Sequence, residues 1–174
     1  MLVDGLLNVS RIAQGRFRLD LEEVDVVALV QEIVERFEEE ALRAGSSVAL
    51  RIPASLEARW DRMRVDQVLT NLLGNAIKYG AGKPILVEVT ATSDQVTFVV
   101  ADQGIGISEA DAARIFGRFE RAVSPDHYGG LGLGLFIARE IVAAHGGSIS
   151  VESAEAKGAR FAVALPRRVG PTPG

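Results

Sequence analysis

Apolar residues recur along this chain with two periods, and the switches between them outline its elements. Residues 1–19, MLVDGLLNVSRIAQGRFRL, set Leu2, Leu6, Leu7, Val9 and Ile12 near helical spacing before Gly15. That spacing predicts the tail of a helix with no visible beginning. Asp25 is placed to cap a second helix, Val26 to about Ala44, with the stripe Val26, Leu29, Val30, Ile33, Val34 and Phe37 and a stop at Gly45. The period then becomes two over Val48–Ile52, a strand ended by Pro53. A third helix is expected from about Arg62 to Tyr79, with Val65, Val68, Leu69, Leu72, Ala76 and Ile77 on one face. Ile85–Thr92 and Gln95–Ala101 are rich in β-branched residues and read as a hairpin about Ser93-Asp94.

A glycine loop (102–107) and a short helix (109–116) follow, and residues 117–131 carry no clean period. A helix from about Gly134 to His145 stops at Gly146-Gly147, and Ser148–Ser153 with Arg160–Leu165 closes a second hairpin. This order predicts an α+β fold: a two-layer α/β sandwich whose mixed, mostly antiparallel sheet carries helices on one face.

Composition narrows the function classes. At 174 residues, 48% hydrophobic and 24% charged, the chain suits one sizeable core and neither a disordered nor a fibrous class. No apolar run approaches the roughly 18 residues of a membrane span. A net charge of −4 argues against a nucleic-acid-binding surface, so any anionic ligand must be held locally. The absence of cysteine excludes disulfides and thiolate metal sites, and two histidines, His127 and His145, leave little for an imidazole cluster. Each histidine on its own fits a non-catalytic role, His145 as a partly positive group in the last turn of a helix.

Three segments and a fourth beside them carry candidate chemistry. Asn71, Asn75 and Lys78 stand at i, i+4 and i+7, one polar stripe opposite an apolar face. Two carboxamides in mid-helix cost helix stability; their oxygens suit Mg²⁺, and the lysine suits phosphate, although a solvated face has the same spacing. Asp102-Gln-Gly104-Ile-Gly106-Ile107 follows an apolar strand directly. There an ionised Asp, which only accepts hydrogen bonds, could take the exocyclic amine of adenine, while the glycines let backbone approach a ligand; an ordinary turn also contains Asp and Gly. Gly130-Leu131-Gly132-Leu133-Gly134-Leu135 runs into a helix, so exposed N–H groups and the helix dipole could cradle an anion. The G-x-G-x-x-G spacing of a Rossmann turn is absent, as is a Walker sequence. Phe116-Gly-Arg118-Phe119-Glu-Arg121 could anchor a loop with its aromatics and offer an arginine to a terminal phosphate, or be core Phe and surface Arg.

In this order, the four segments resemble the catalytic and ATP-binding domain of sensor histidine kinases, within the GHKL class that shares the Bergerat fold. Asp61–Tyr79 looks like the N box, Asp102–Ile107 the G1 box, Ile115–Arg121 the F box and Gly130–Leu135 the G2 box. The segment Leu2–Gly15 resembles the second dimerisation helix. The resemblance implies residues 1–19 as a dimerisation remnant and linker and 20–166 as the catalytic domain, while the composition of residues 167–174 predicts a disordered tail. It implies ATP and Mg²⁺ as cofactors, with Asn75 as the metal ligand. Asn71, Lys78 and Arg121 would be catalytic, facing phosphate. Tyr79, Asp102, Gly104, Gly106, Ile107, Phe119, Gly130, Leu131, Gly132, Leu133, Gly134 and Leu135 would hold the nucleotide, with 122–129 as a short lid.

The implied reaction is phosphoryl transfer to a histidine, with the parent's phosphoacceptor domain and a response regulator as partners. The family's acceptor motif, His-Glu/Asp followed by Arg-Thr-Pro, has no match here, since Met1 begins after that point. The expectation is a monomeric, cytoplasmic ATP-binding unit that does not phosphorylate itself, whether or not its parent is membrane-anchored. Two alternatives stand beside this. A GHKL ATPase of the gyrase, chaperone or mismatch-repair type carries a Glu one turn before the metal asparagine, where this chain has Asn71; Asp66 lies nine residues before Asn75. A regulatory ATP-binding module would bind without transfer.

Overall fold

The computed structural model describes residues 18–80, 82–118, 120, 132–154 and 156–170. Strand β1 (Glu22–Asp25) leads into helix α1 (Val26–Arg43), capped by the Asp25 carboxylate, which accepts from the Ala28 N–H at 3.0 Å. Strands β2 (Val48–Arg51) and β3 (Glu57–Trp60) precede α2 (Arg62–Tyr79). The hairpin of β4 (Ile85–Ala91) and β5 (Gln95–Ala101) is followed by the short α3 (Glu109–Ala112). Helix α4 (Gly134–Ala144) and the hairpin β6 (Ser148–Ser153) and β7 (Ala159–Pro166) complete the described chain. The helix expected in residues 1–19 lies almost wholly outside the described residues.

Five strands form the main sheet in the order β2-β4-β5-β7-β6, with β2 parallel to β4 and every other pair antiparallel. Period-two alternation puts Val87, Val100 and Phe161 side by side on one face, and Val89, Phe98 and Val163 in the next row. Those rows join the buried stripes of α1, α2 and α4 in one core. Val99, of the opposite parity, lies outside that cluster. This is the expected two-layer sandwich. Its register also places the end of β5 beside the start of β7, so Asp102 leaves the sheet against Ala159.

Three features depart from the sequence reading. β1 and β3 were not expected, yet they pair antiparallel as a small second sheet. Four residues each give too short a run for periodicity to be read, although Ala58 and Trp60 do alternate with Glu57 and Arg59 as buried and exposed. Residues 167–170, expected to belong to a disordered tail, instead run along β3. The Arg59 N–H donates to Arg167 O at 2.9 Å, and Val169 packs against the core. The fully buried Trp60 ties this edge down by donating from Nε1 to Pro166 O, with Phe98 5.7 Å from its ring. Finally, α3 stops at Ala112 rather than 116, and Arg114–Gly117 turns away.

His145 also behaves differently from a partly positive helix end. It is 1% exposed; its Nδ1 lies 2.8 Å from Ile141 O, and its Nε2 accepts from the Asp61 N–H at 3.2 Å. One nitrogen donating and the other accepting requires the neutral ring. Burial accordingly pushes its pKa below the ordinary 6.5, against the Ile141 bond and the Asp61 charge, which raise it. Because the unfolded chain then binds the extra proton more readily, this contribution to stability is complete above pH 6.5 and lost as pH falls below it. Urea denaturation from pH 8 to 5 should show that decline; an imidazole that titrates at or above 6.5 by NMR would contradict it.

Candidate functional site

Helix α2 is the spine of the site. Its apolar face, Val65, Val68, Leu69, Leu72, Leu73, Ala76 and Ile77, is buried, which fixes the helix's rotation and leaves Asn71, Asn75 and Lys78 half-buried at the opposite edge. At its C-terminal end, Tyr79 O accepts from the Ile105 N–H at 3.2 Å and so holds the 102–107 loop. Eight residues back, about 12 Å along the axis, the Asn71 side chain donates to Gly134 O at 3.1 Å and holds the first residue of α4. Three segments far apart in sequence therefore meet along one helix.

The loop is packed tightly enough to require its glycines. A Cβ on Gly104 would lie 1.8 Å from Tyr79 O, and one on Gly106, at φ +70, would lie 2.0 Å from Ala154 O. Asp102 is 9% exposed, and its Oδ1 accepts from the N–H groups of Gly104 at 2.8 Å and Ala159 at 3.4 Å. Its Oδ2 takes no hydrogen bond among the described residues. Burial pushes this carboxyl above its ordinary pKa, and the two backbone donors pull it part of the way back. The result is a buried acceptor with one oxygen uncommitted.

Asn75 makes no side-chain hydrogen bond among the described residues, in contrast to Asn71. No cluster of three or more His, Cys, Asp or Glu that could hold a metal exists among those residues. A carboxamide oxygen such as that of Asn75 suits a hard cation when a bound anion and water supply further oxygens. Lys78 Nζ lies 5.1 Å from the centre of the Tyr79 ring. At the other end, Gly132 is left-handed at φ +69, and Leu133 caps α4 without a side-chain bond, so the first N–H groups of that helix have no side-chain cap among the described residues. Leu133 is buried and Leu135 packs on the core.

Of the aromatic-arginine segment, Phe116 meets Phe161 edge-on at 6.4 Å, and the Arg118 guanidinium lies 4.9 Å from the Phe136 ring centre. Phe119, Arg121, Gly130, Leu131 and the expected lid 122–129 lie outside the described residues. Sequence reasoning missed Ser153, whose hydroxyl accepts from the Ile107 N–H at 2.8 Å. No period or motif marks a lone serine at a strand end.

Known proteins are similar to this chain in sequence and in fold. Residues 60–169 match the family described as histidine kinase-, DNA gyrase B-, and HSP90-like ATPase. The chain is 37% identical over 171 residues to the signal transduction histidine-protein kinase AfsQ2 of Streptomyces coelicolor, covering 98% of this chain and 31% of that protein. It is 32% identical over 170 residues to the sensor histidine kinase WalK of Bacillus subtilis, covering 95% of this chain and 28% of that protein. It thus spans less than a third of the length of either curated relative. Among solved structures, full-length ShkA in complex with AMPPNP superposes with a TM-score of 0.87 at 30% identity, over 99% of this chain and 36% of that one. The nucleotide-free catalytic domain of histidine kinase ThkA does so with 0.76 at 29%, over 86% of this chain and 99% of that one. The motif order, the sandwich with α2 as its spine and these likenesses agree: the chain belongs to the histidine kinase-, DNA gyrase B- and HSP90-like ATPase family, in the Bergerat fold of sensor-kinase catalytic domains.

Proposed function

We propose that this chain binds ATP with Mg²⁺ and supplies the γ-phosphoryl group for phosphorylation of a histidine in two-component signalling. The observation that carries this is the convergence on α2 of a largely buried carboxylate with one oxygen uncommitted, a glycine-lined loop and a helix start without a side-chain cap among the described residues. Asp102 Oδ2 would accept from the adenine amine, with Tyr79, Gly104, Gly106 and Ile107 forming the wall around the base. Asn75 would hold Mg²⁺, whose charge would offset that of the triphosphate. Lys78, one residue before Tyr79, would offset phosphate charge beside the base end, and the first N–H groups of α4 would draw the phosphates toward the other end, with Arg121, Phe119 and Gly130–Leu135 completing that end. Asn71, already bonded to Gly134 O, orients the start of α4. Transfer of this kind depends on positioning and charge neutralisation more than on covalent chemistry by the protein.

Residues 20–166 form the catalytic unit in this reading, and 1–19 the end of a dimerisation helix. The acceptor is a histidine of the parent's dimerisation domain, since His145 is buried with both nitrogens engaged and neither histidine sits in the acceptor motif. A response regulator would receive the group next. The unit would be a cytoplasmic monomer; no helix among the described residues is long and apolar enough to cross a membrane. Direct ATP hydrolysis is disfavoured because Asp66, the carboxylate on α2, is held by Arg36 at 2.8 Å and by Thr70.

Calorimetry with a non-hydrolysable ATP analogue should show binding that Mg²⁺ strengthens. Asn75→Ala should remove at least about tenfold of the Mg²⁺-dependent gain and leave metal-free binding near wild type; equal losses with and without Mg²⁺ would contradict the ligand role. Labelled ATP should mark a dimerisation domain supplied in trans and leave this chain unmarked. A stable phosphohistidine on this chain alone, or no transfer to any of several such domains, would overturn the kinase reading.

A further inference from the structure

The 102–107 loop is anchored on two sides, and only one of them is α2. Its other side is the turn between β6 and β7. The Asp102 N–H donates to Ala159 O at 2.9 Å, Ala156 N–H donates to Ile105 O at 2.7 Å, and Ile107 N–H donates to the Ser153 hydroxyl at 2.8 Å. That hydroxyl in turn donates to Gly158 O at 2.6 Å. The fit is close: a Cβ on Gly158, at φ +81, would lie 2.0 Å from Asp102 O. Ala156 holds the left-handed conformation at φ 59 that side chains rarely adopt, which marks the turn as constrained by its surroundings.

We propose that Ser153 is a positioning residue for the base end of the site, locking the β6–β7 turn to the Asp102–Ile107 loop so that Asp102 and the glycines are held in place before a purine base arrives. The inference rests on the nucleotide reading of this site and extends it to a strand end that carries none of the four motifs. Ser153 is suited to this because a hydroxyl can accept and donate at once, so one side chain joins the loop backbone to the far end of its own turn. It is the one side chain of the turn bonded to that loop among the described residues. Among the described residues, every other tie there is backbone to backbone or uses the Asp102 carboxylate.

The test is Ser153→Ala, with Ser153→Thr as the variant that keeps the hydroxyl. Losing one such bond should weaken ATP-analogue binding about fivefold, equally with and without Mg²⁺, so that the Mg²⁺-dependent gain survives. Ser153→Thr should stay within about twofold of wild type. Amide hydrogen exchange gives a readout without nucleotide: in Ser153→Ala the Ile107 amide should exchange several-fold faster while that of Val100, in the core of the sheet, does not change. Unchanged affinity and unchanged Ile107 exchange would overturn the proposal. So would faster exchange at Val100 as well, since that means general loosening, or a loss confined to the Mg²⁺-dependent part. If the wild-type chain binds no ATP analogue, the nucleotide reading fails by itself, and Ile107 exchange still reports whether Ser153 holds the loop.

Discussion

Asp102→Asn should weaken binding of an ATP analogue roughly a hundredfold, the scale expected when a hydrogen bond to a buried charged acceptor is replaced by two donors facing each other. The variant keeps an oxygen to accept from the Gly104 N–H, now 2.8 Å from Oδ1, and puts an NH₂ where Oδ2 stands uncommitted. The adenine amine would then meet a donor. Stability should move the other way. Because burial raises the pKa of Asp102 in the folded chain, the folded state holds this proton more readily than the unfolded state does. The stability it contributes is complete below its ordinary pKa of 3.8 and lost as pH rises through the folded value, so near pH 7 the ionised group is a net cost to folding. Removing the charge should leave the melting temperature unchanged or slightly higher. Calorimetry and thermal denaturation on one preparation decide it: unaltered affinity would remove Asp102 from base recognition, and a large fall in melting temperature would make its role structural.

Gly104→Ala should be the most disruptive single methyl in the site. The added Cβ would stand 1.8 Å from Tyr79 O and 2.7 Å from Gly80 Cα, and both are backbone, so no side chain can swing aside. Separating the loop from the end of α2 should cost about 3 kcal/mol or more, a fall in melting temperature of about 6–12 °C for a domain of this size, and nucleotide binding should go with it. Gly74→Ala is the matched control. It lies inside the same helix, and its Cβ would meet only the Phe37 ring, at 3.7 Å, an ordinary contact. There alanine should stabilise the helix by about 0.5–1 kcal/mol. Similar melting temperatures for the two variants would mean that the loop is not wedged against α2.

How far each part of the molecule could be read before folding follows from how local its physics is. The Val26–Arg43 and Arg62–Tyr79 helices were legible because an apolar stripe over five turns, with an aspartate at each N-cap, leaves little else for those residues to do. The β4–β5 hairpin was legible because β-branched runs flank a short turn, and β6–β7 because Ile149 and Val151, then Phe161, Val163 and Leu165, alternate with other residues on either side of one. β1 and β3 were not, since each four-residue strand owes its existence to the partner it finds 32 to 38 positions away. The same holds for residues 167–170, which carry no apolar period and are ordered by the edge of β3.

The site divides in the same way. By itself, the sequence determined which residue types stand where: carboxamides one turn apart on α2, an aspartate at a strand end, glycines before a helix, and no acceptor motif around either histidine. These are covalent facts and helical geometry, which need no tertiary contact to hold. Only the folded structure decided what each does to its neighbours. Two asparagines equivalent in sequence became different, because α4 packs beside α2 and gives Asn71 a carbonyl to bind, while Asn75 has no such partner among the described residues. A histidine at a helix end became a neutral buried strut because the N-terminus of α2 lies against it. And Ser153, featureless in a string of letters, came to hold a loop 46 residues away. Hydrogen bonds act over about 3 Å in space, so which groups they join is settled by packing rather than by position in the chain.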